Sequence, residues 1–177
     1  MESKNELRAR MRALPCEKGG CGIWDRLETL DGFRDSDIVL LYWSIPGEPD
    51  THAFIRHLAE DRKVALPVVC GDVLELRLYD AARMKEGYRG IAEPSAAAIT
   101  VHPDEIGFAV IPGLAFDASG RRLGRGKGFY DRLLPVLHCP VAGVCFDSHF
   151  VEKVPVDDYD MPVDLVITPN NLYLCKE

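Results

Sequence analysis

The chain has 177 residues, about the size of one domain, and we expect residues 1–177 to form a single folded unit. Hydrophobic residues make up 47% of the chain and charged residues 28%, which excludes an intrinsically disordered protein. The formal net charge of −7 disfavours non-specific binding of nucleic acid over most of the surface, so an anionic ligand needs a local basic patch.

The beginning of the chain and its cysteines indicate the compartment. Residues 1–12 are charged and lack the apolar centre of an export signal, and no run of 18 apolar residues occurs. The six cysteines show neither a Cys-x-x-Cys pair nor the paired spacing of zinc ligands. We therefore expect free thiols and a cytoplasmic protein, with no membrane association and no obligate protein partner.

The first half of the chain predicts helices around two buried strands. A helix begins the chain because leucine and methionine recur at helical spacing, and continuous apolar runs are typical of strands that are covered on both faces. A last strand alternates leucine with polar residues, as expected for a half-exposed strand. Helices are predicted at residues 2–14, about 22–30 and 51–61, and strands at 37–43, 63–69 and 74–78.

The second half continues the alternation, with strands at 108–111, 141–146 and 164–168 and a helix at 127–138. Strands that alternate with helices predict an α/β fold with a mostly parallel sheet and helices on both faces. Such sheets bind ligands at the carboxyl ends of their strands. We therefore expect the site in the loops that follow Trp43, Ile111 and Phe146.

A glycine- and arginine-rich segment, residues 120–131, begins after a predicted strand and ends in a predicted helix. Its glycines alternate with other residues between 124 and 128, which allows the backbone to approach a ligand with its N–H groups. The helix start adds the positive end of a dipole. Arg122, Arg125 and Lys127 supply full positive charges, and arginine binds phosphate oxygens in a bidentate way. The segment is therefore predicted to hold the phosphates of a nucleotide.

The spacing within this segment excludes two common nucleotide motifs. Gly128 stands where a Walker loop has the Ser or Thr that holds magnesium, and Gly-x-Gly-x-Gly is not the Rossmann spacing. Magnesium must then bind carboxylates elsewhere, and Asp131 is the nearby candidate. A flexible basic hairpin, or a non-catalytic module that binds nucleotide or RNA, is the alternative. The position between a strand and an amphipathic helix favours phosphate binding.

The same segment, together with the preceding residues 112–117, closely resembles the signature of the 5-formyltetrahydrofolate cyclo-ligases (methenyltetrahydrofolate synthetases). Further stretches resemble this family in the same order along the chain, at residues 4–8, 47–51, 87–94 and 160–164. The resemblance covers most of the chain and implies a three-layer α/β sandwich. It implies an ATP- and Mg²⁺-dependent reaction that converts 5-formyltetrahydrofolate into 5,10-methenyltetrahydrofolate, ADP and phosphate.

The resemblance also implies the chemistry. In the family, the formyl oxygen attacks the γ-phosphate of ATP, and nitrogen 10 then closes the ring while phosphate leaves. Phosphoryl transfer depends on positioning and charge neutralisation, and the sequence shows no convincing Ser-His or Cys-His arrangement. Arg125 and Lys127 are the predicted catalytic residues, because their charges can stabilise the γ-phosphoryl group. A different formylated or carboxylated small molecule is an alternative substrate for the same fold.

The family's other roles can be transferred to matching positions of this sequence. Carboxylate oxygens suit the N–H donors of a reduced pterin, aromatic rings suit its faces, and Mg²⁺ prefers hard oxygen ligands. Without the resemblance, Lys4 and Arg8 would be interpreted as part of a solvated helix face, and Asp131 as an aspartate at a helix start. Asp160 would be interpreted as part of a solvated acidic run, and Trp43 as a buried side chain. The implied ATP-binding residues are Lys4, Arg8, Arg122, Leu123, Gly124, Arg125, Gly126, Lys127 and Gly128; the folate-binding residues are Glu48, Phe129, Tyr130 and Trp43; and the magnesium ligands are Asp131 and Asp160.

Overall fold

The computed structural model of the chain describes residues 2–15, 17 and 19–175. The α-helices of this part are α1 (Lys4–Arg12), α2 (Cys21–Leu27), α3 (Asp31–Arg34), α4 (His52–Leu58) and α5 (Phe129–Leu133). The strands are β1 (Ile38–Leu40), β2 (Lys63–Cys70), β3 (Val73–Leu78), β4 (Met84–Glu86), β5 (Ala92–Pro94), β6 (Thr100–Val101), β7 (Phe108–Pro112), β8 (Ala115–Phe116), β9 (Arg122–Leu123), β10 (Val141–Val144), β11 (Leu165–Ile167) and β12 (Leu172–Leu174).

Eight of these strands form one sheet in the order β12-β11-β10-β7-β1-β2-β3-β6. The five central strands, from β11 to β2, are parallel, and antiparallel strands complete both edges. In the middle of the sheet, Leu40 of β1 lies opposite Ala65 of β2 and Ala109 of β7. The expectation of a mostly parallel sheet is confirmed.

Helices cover both faces of this sheet, because successive side chains of the central strands point to opposite sides. Val39 belongs to the core cluster beneath α2, α3 and α4, which contribute Leu27, Phe33 and Ile55. Leu40 belongs to the cluster on the other face, where α5 packs. Each large aliphatic side chain buried in these layers contributes roughly 1.5–3 kcal/mol. The predicted α/β sandwich with helices on both faces is confirmed.

Helix α1 packs on a third, smaller cluster. Its N-terminus has a capping box, in which Ser3 and Glu6 satisfy each other's backbone N–H groups. Leu7 and Met11 are buried on one face of α1 and pack against a cluster that includes Leu123 of β9. The first helix is thereby held beside the glycine-rich segment.

Several element boundaries differ from the sequence prediction. The helix expected at 127–138 is α5, which ends at Leu133 and continues as a 3₁₀ turn at Leu134–Val136. Pro135 explains this change, since proline lacks the N–H that an α-helix needs and clashes with the preceding turn. Helix α3 and the two hairpins β4–β5 and β8–β9 were not predicted.

The structure also bears on the thiols and on membrane association. Cys70, Cys139, Cys145 and Cys175 are free, as expected, whereas Cys16 and the side chain of Cys21 lie outside the described part. Within the described residues, no helix combines the length and apolar character needed to cross a membrane.

Candidate active site

A cleft with a volume of about 250 Å³ lies beside the carboxyl ends of β1 and β7. It is lined by the segment after β1 (Tyr42, Trp43, Ile45 and Glu48), by β2 and β3 (Pro67, Val69 and Leu74), by residues between 88 and 93, by Pro112 and Gly113, and by residues between 122 and 131. The loops after Trp43 and Ile111 therefore border the cleft as predicted. The loop after Phe146 does not line it.

The glycine-rich segment begins as a hairpin whose turn is fixed by a buried carboxylate. Asp117 is 2% exposed and accepts backbone N–H groups from Ser119 at 2.9 Å, Arg121 at 3.1 Å and Val154 at 2.8 Å. These bonds connect the turn between β8 and β9 to the loop that carries Val154. The hairpin is thereby a fixed base for the glycines that follow.

Two of those glycines need a backbone conformation that other residues rarely adopt. Gly126 and Gly128 have φ angles of 100° and 68°, in the left-handed region that favours glycine. Lys127, which lies between them, is exposed and makes no ion pair with any residue that the structure describes. The loop therefore offers an unpaired cation and nearby backbone N–H groups to an anion.

Arg122 lies beneath this loop and is almost fully buried. Its Nη2 donates to Asp131 Oδ1 at 2.7 Å, and its guanidinium carbon lies 5.4 Å from the ring centre of Tyr130. Its Nε is buried and has no hydrogen-bond partner among the described residues. A buried donor without an acceptor costs free energy, so a ligand oxygen or a water would be favourable there. Arg122 thus fixes Asp131 and Tyr130 at the wall of the cleft.

Glu48 is a buried carboxylate of the cleft, with only 7% of its side chain exposed. Its Oε1 accepts from Arg125 Nε at 3.1 Å and from Arg125 Nη2 at 2.9 Å, and its Oε2 accepts from Ile45 N at 3.1 Å. Burial raises the pKa of Glu48 above its ordinary value, and the charge of Arg125 opposes this shift. The predicted folate-binding and phosphate-binding residues therefore contact each other directly.

Aromatic side chains form the apolar walls. Trp43 is half-buried and stacks on His52 with ring centres 4.1 Å apart, and Phe129 meets Tyr88 edge-on at 5.9 Å. Burial raises the pKa of the Tyr130 phenol far above its ordinary value, so this phenol is neutral in the physiological range. The chamber can therefore accept a flat heterocycle against aromatic faces, with the carboxylate of Glu48 to orient it.

The cleft residues that were not predicted as site residues include three with polar side chains, Tyr42, Tyr88 and Glu93. Glu93 is buried and lies 3.5 Å from Lys85 Nζ. A Cβ atom on residue 87 would lie 2.1 Å from the carboxyl carbon of Glu93, so a side chain on residue 87 would clash with Glu93 where it now lies. The family-like stretch 87–94 contained the signal for two of the three residues, although no role was assigned to them.

The residues predicted on α1 lie beside the glycine-rich segment and not in the cleft. Arg8 Nε donates to the carbonyl of Gly124 at 3.0 Å. Lys4 Nζ donates to Asp157 at 2.7 Å and also to Asp160. Lys4 and Asp160 thus bind each other, while Arg8 lies next to the loop. Leu123 is fully buried, so only its backbone could contact a nucleotide.

The described residues contain no group of three or more His, Cys, Asp or Glu side chains that could hold a metal ion. Mg²⁺ usually binds one or two carboxylates, together with water and substrate phosphates, and does not need such a cage. Asp131 fits this requirement, because it is partly exposed at the cleft wall and Arg122 uses only one of its oxygens. Asp160 Oδ2 already accepts from Lys4 and from the backbone of Asp157.

A mostly parallel sheet with a cationic glycine-rich loop and an apolar cleft beside its strand ends defines an α/β enzyme. Residues 2–169 match the model of the 5-formyltetrahydrofolate cyclo-ligase family, and the chain belongs to that family. The family resemblance inferred from the sequence is therefore confirmed.

Curated relatives and solved structures agree with this assignment. The chain is 31% identical to the 5-formyltetrahydrofolate cyclo-ligase of Escherichia coli K12, over 94% of this chain and 98% of the relative. It is 32% identical to the Haemophilus influenzae enzyme of the same name, over 89% of each chain. The structure of Aquifex aeolicus 5,10-methenyltetrahydrofolate synthetase superposes with a TM-score of 0.80 and 32% identity, over 99% of this chain and 86% of that one. A Mycoplasma pneumoniae 5,10-methenyltetrahydrofolate synthetase shares the fold, with a TM-score of 0.70 and 23% identity, over 95% and 99% of the two chains.

Proposed function

We propose that the chain converts 5-formyltetrahydrofolate into 5,10-methenyltetrahydrofolate in an ATP- and Mg²⁺-dependent reaction that releases ADP and phosphate. One observation carries this proposal: a single cleft joins an aromatic chamber with a buried carboxylate, Glu48, to a loop that carries Arg125 and Lys127. A pterin and a triphosphate could therefore meet in one cavity. Family membership supports the same reaction.

In the proposed first step, the formyl oxygen attacks the γ-phosphorus of ATP, the bond from that phosphorus to the bridging oxygen breaks, and ADP leaves. Arg125 and Lys127 neutralise the charge that spreads over the γ-phosphoryl oxygens. Arg8 and Lys4 approach the phosphates from the side of α1, and the backbone of residues 122–128 supplies N–H donors. Asp131 and Asp160 would hold Mg²⁺, which neutralises phosphate charge when it is bound.

In the second step, nitrogen 10 attacks the phosphorylated formyl carbon. The nitrogen loses its proton, the carbon–oxygen bond breaks, and inorganic phosphate leaves with the former formyl oxygen. The protein's contribution is orientation, because ring closure needs nitrogen 10 close to the activated carbon. Glu48 would bind N–H donors of the pterin, while Trp43, Phe129 and Tyr130 would contact its faces.

The test is a spectrophotometric assay with 5-formyltetrahydrofolate, which should yield a methenyl product absorbing near-ultraviolet light only when ATP and Mg²⁺ are present. Lys127→Ala should lower kcat/KM by about 10²–10³-fold, because it removes an exposed cation from the glycine-rich loop. Thermal unfolding should be unchanged, since this side chain is exposed. Lys63→Ala, at the other end of the parallel strands, is the matched control and should keep full activity.

The contrary outcomes are equally clear. Full activity of Lys127→Ala would show that the glycine-rich loop takes no part in catalysis. Retention of RNA in a steeply salt-dependent way, without formation of the methenyl product, would favour the binding module instead.

A further inference from the structure

The ion pair between Arg125 and Glu48 connects the two halves of the cleft. Arg125 belongs to the exposed glycine-rich loop and keeps 40% of its side chain exposed, whereas Glu48 is buried beneath it. Both Nε and Nη2 of Arg125 converge on a single oxygen of Glu48. One of the two guanidinium edges that present parallel N–H groups, the Nε–Nη2 edge, is thus occupied by Glu48.

The Nε–Nη2 edge is one of the two edges through which arginine binds phosphate. Bidentate binding of a phosphate uses two N–H groups of a guanidinium side by side. A triphosphate that takes the Nε–Nη2 edge must therefore displace Glu48. Because Arg125 is exposed and is followed by Gly126, whose φ lies in the left-handed region, its side chain can turn towards the phosphates without disturbing the buried core.

Displacement would leave Glu48 as a buried anion without its partner. Arg125 is the only cation that the described residues place against it; its other neighbours include the phenols of Tyr42 and Tyr130. A buried charge that loses its partner is costly. The N–H donors of a pterin would compensate this cost, so a released Glu48 binds the pterin better than a paired one.

Resting on the proposed function, we infer that the Arg125–Glu48 pair is exchanged during substrate binding and couples the two substrate sites. Nucleotide draws Arg125 away and exposes the acceptor oxygens of Glu48 to the pterin, and bound pterin in turn frees Arg125 for nucleotide. Such coupling is reciprocal by thermodynamic necessity, and its typical size is roughly 5- to 150-fold in affinity. Glu48 is therefore a folate-binding residue that also restrains the nucleotide site.

This exchange predicts an unusual effect of a substitution in the folate chamber. Glu48→Gln removes the charge that holds Arg125 but keeps the shape of the side chain. The variant should bind nucleotide more tightly than the wild type when no folate is present, by roughly the coupling factor. The ratio of its nucleotide affinity with folate to its nucleotide affinity without folate should fall towards one.

The experiment is isothermal titration of the full chain with Mg²⁺ and the β,γ-imido analogue of ATP, without and with saturating 5-formyltetrahydrofolate. Glu93→Gln is the matched control, because it removes the same charge from the same cleft but leaves the Arg125–Glu48 pair intact. It should retain the wild-type coupling. Lys127→Met should weaken nucleotide binding and also retain the coupling.

Three results would overturn the exchange: unchanged or weaker nucleotide binding by Glu48→Gln, equal tightening by Glu93→Gln, or independent binding of the two ligands to the wild type. Independent binding would leave the proposed function intact, because both substrates still bind. A wild-type protein that binds neither ligand would overturn the proposed function and the exchange together.

Discussion

Burial makes Glu48 a source of instability in the fold. Its folded-state pKa is raised from the ordinary value of 4.5, chiefly by burial. The folded state therefore holds the proton more tightly than the unfolded state. Consequently, the free energy of unfolding falls as pH rises from about that value through the raised pKa. The cost of the buried charge is therefore present above the raised pKa and absent at low pH.

Glu48→Gln should therefore stabilise the fold at pH 7 to 8, and the gain should shrink as pH falls towards 4.5, where Glu48 itself becomes neutral. A gain of about 1 kcal/mol would raise Tm by about 2–4 °C in a domain of this size. Arg125, left behind, is partly exposed and can be solvated. Thermal unfolding at several pH values measures the difference.

The reverse substitution provides the control. Arg125→Met removes the exposed partner and leaves the buried anion, so it should lower Tm at neutral pH. If Glu48→Gln instead lowered Tm equally at every pH, the ion pair with Arg125 would stabilise the fold by more than the burial of the Glu48 charge destabilises it. That result would contradict the prediction.

The sequence identified charged residues of the glycine-rich segment but not their surroundings. Arg125 and Lys127 are exposed in the loop, whereas Arg122, from the same motif, is buried against Tyr130. A motif shows which residue types are present, but burial depends on segments distant in the chain. For the same reason, the pairing of Glu48 with Arg125 across 77 positions left no local signal.

At the scale of elements, the β8–β9 hairpin is held by one aspartate. Asp117 accepts three backbone N–H groups in a buried position. Asp117→Asn replaces one acceptor oxygen with a donor, so at least one of those N–H groups loses its partner. We expect a loss of about 2–4 kcal/mol in the free energy of unfolding and weaker nucleotide binding, because the hairpin is the base of the glycine-rich loop.

Chemical denaturation and nucleotide titration together measure this effect. Asp61→Asn, in the exposed turn after α4, is the same chemical change and should shift stability by no more than about 0.5 kcal/mol. A stable Asp117→Asn variant with normal nucleotide affinity would show that the turn does not depend on the carboxylate.

Elements with strong local signals were predicted well, and those set by tertiary contacts were not. The apolar runs gave β2, β7 and β11, because buried parallel strands are hydrophobic throughout. The β4–β5 hairpin has only three residues in each strand, too few for a strand-like period to be recognised. The hairpin packs over β2. Because its sequence carries no strand signal, the sequence analysis did not predict the cleft residues that it contributes.

In the molecule as a whole, the N-terminal helix packs beside the glycine-rich loop, which belongs to the middle of the chain. Helix α1 packs on β9 through Leu7 and Met11, and Arg8 bonds to Gly124. Lys4 connects the same helix to the loop at Asp157 and Asp160 near the end of the chain. The sheet order that brings these segments together depends on long-range pairing, which the sequence did not reveal.

Among the described residues, one packing cluster lies beside the glycine-rich loop and two larger clusters lie on the faces of the sheet. Matched core substitutions can separate their effects. Leu7→Ala in α1 and Leu27→Ala in α2 remove the same fully buried side chain, and each should cost about 2–5 kcal/mol. Only Leu7→Ala should weaken binding of the imido analogue of ATP under conditions where both variants are folded, because only α1 positions Arg8 against the loop. Calorimetric titration after a check of folding by circular dichroism would measure both effects. Equal nucleotide affinities for the two variants would mean that α1 stabilises the fold without shaping the phosphate site.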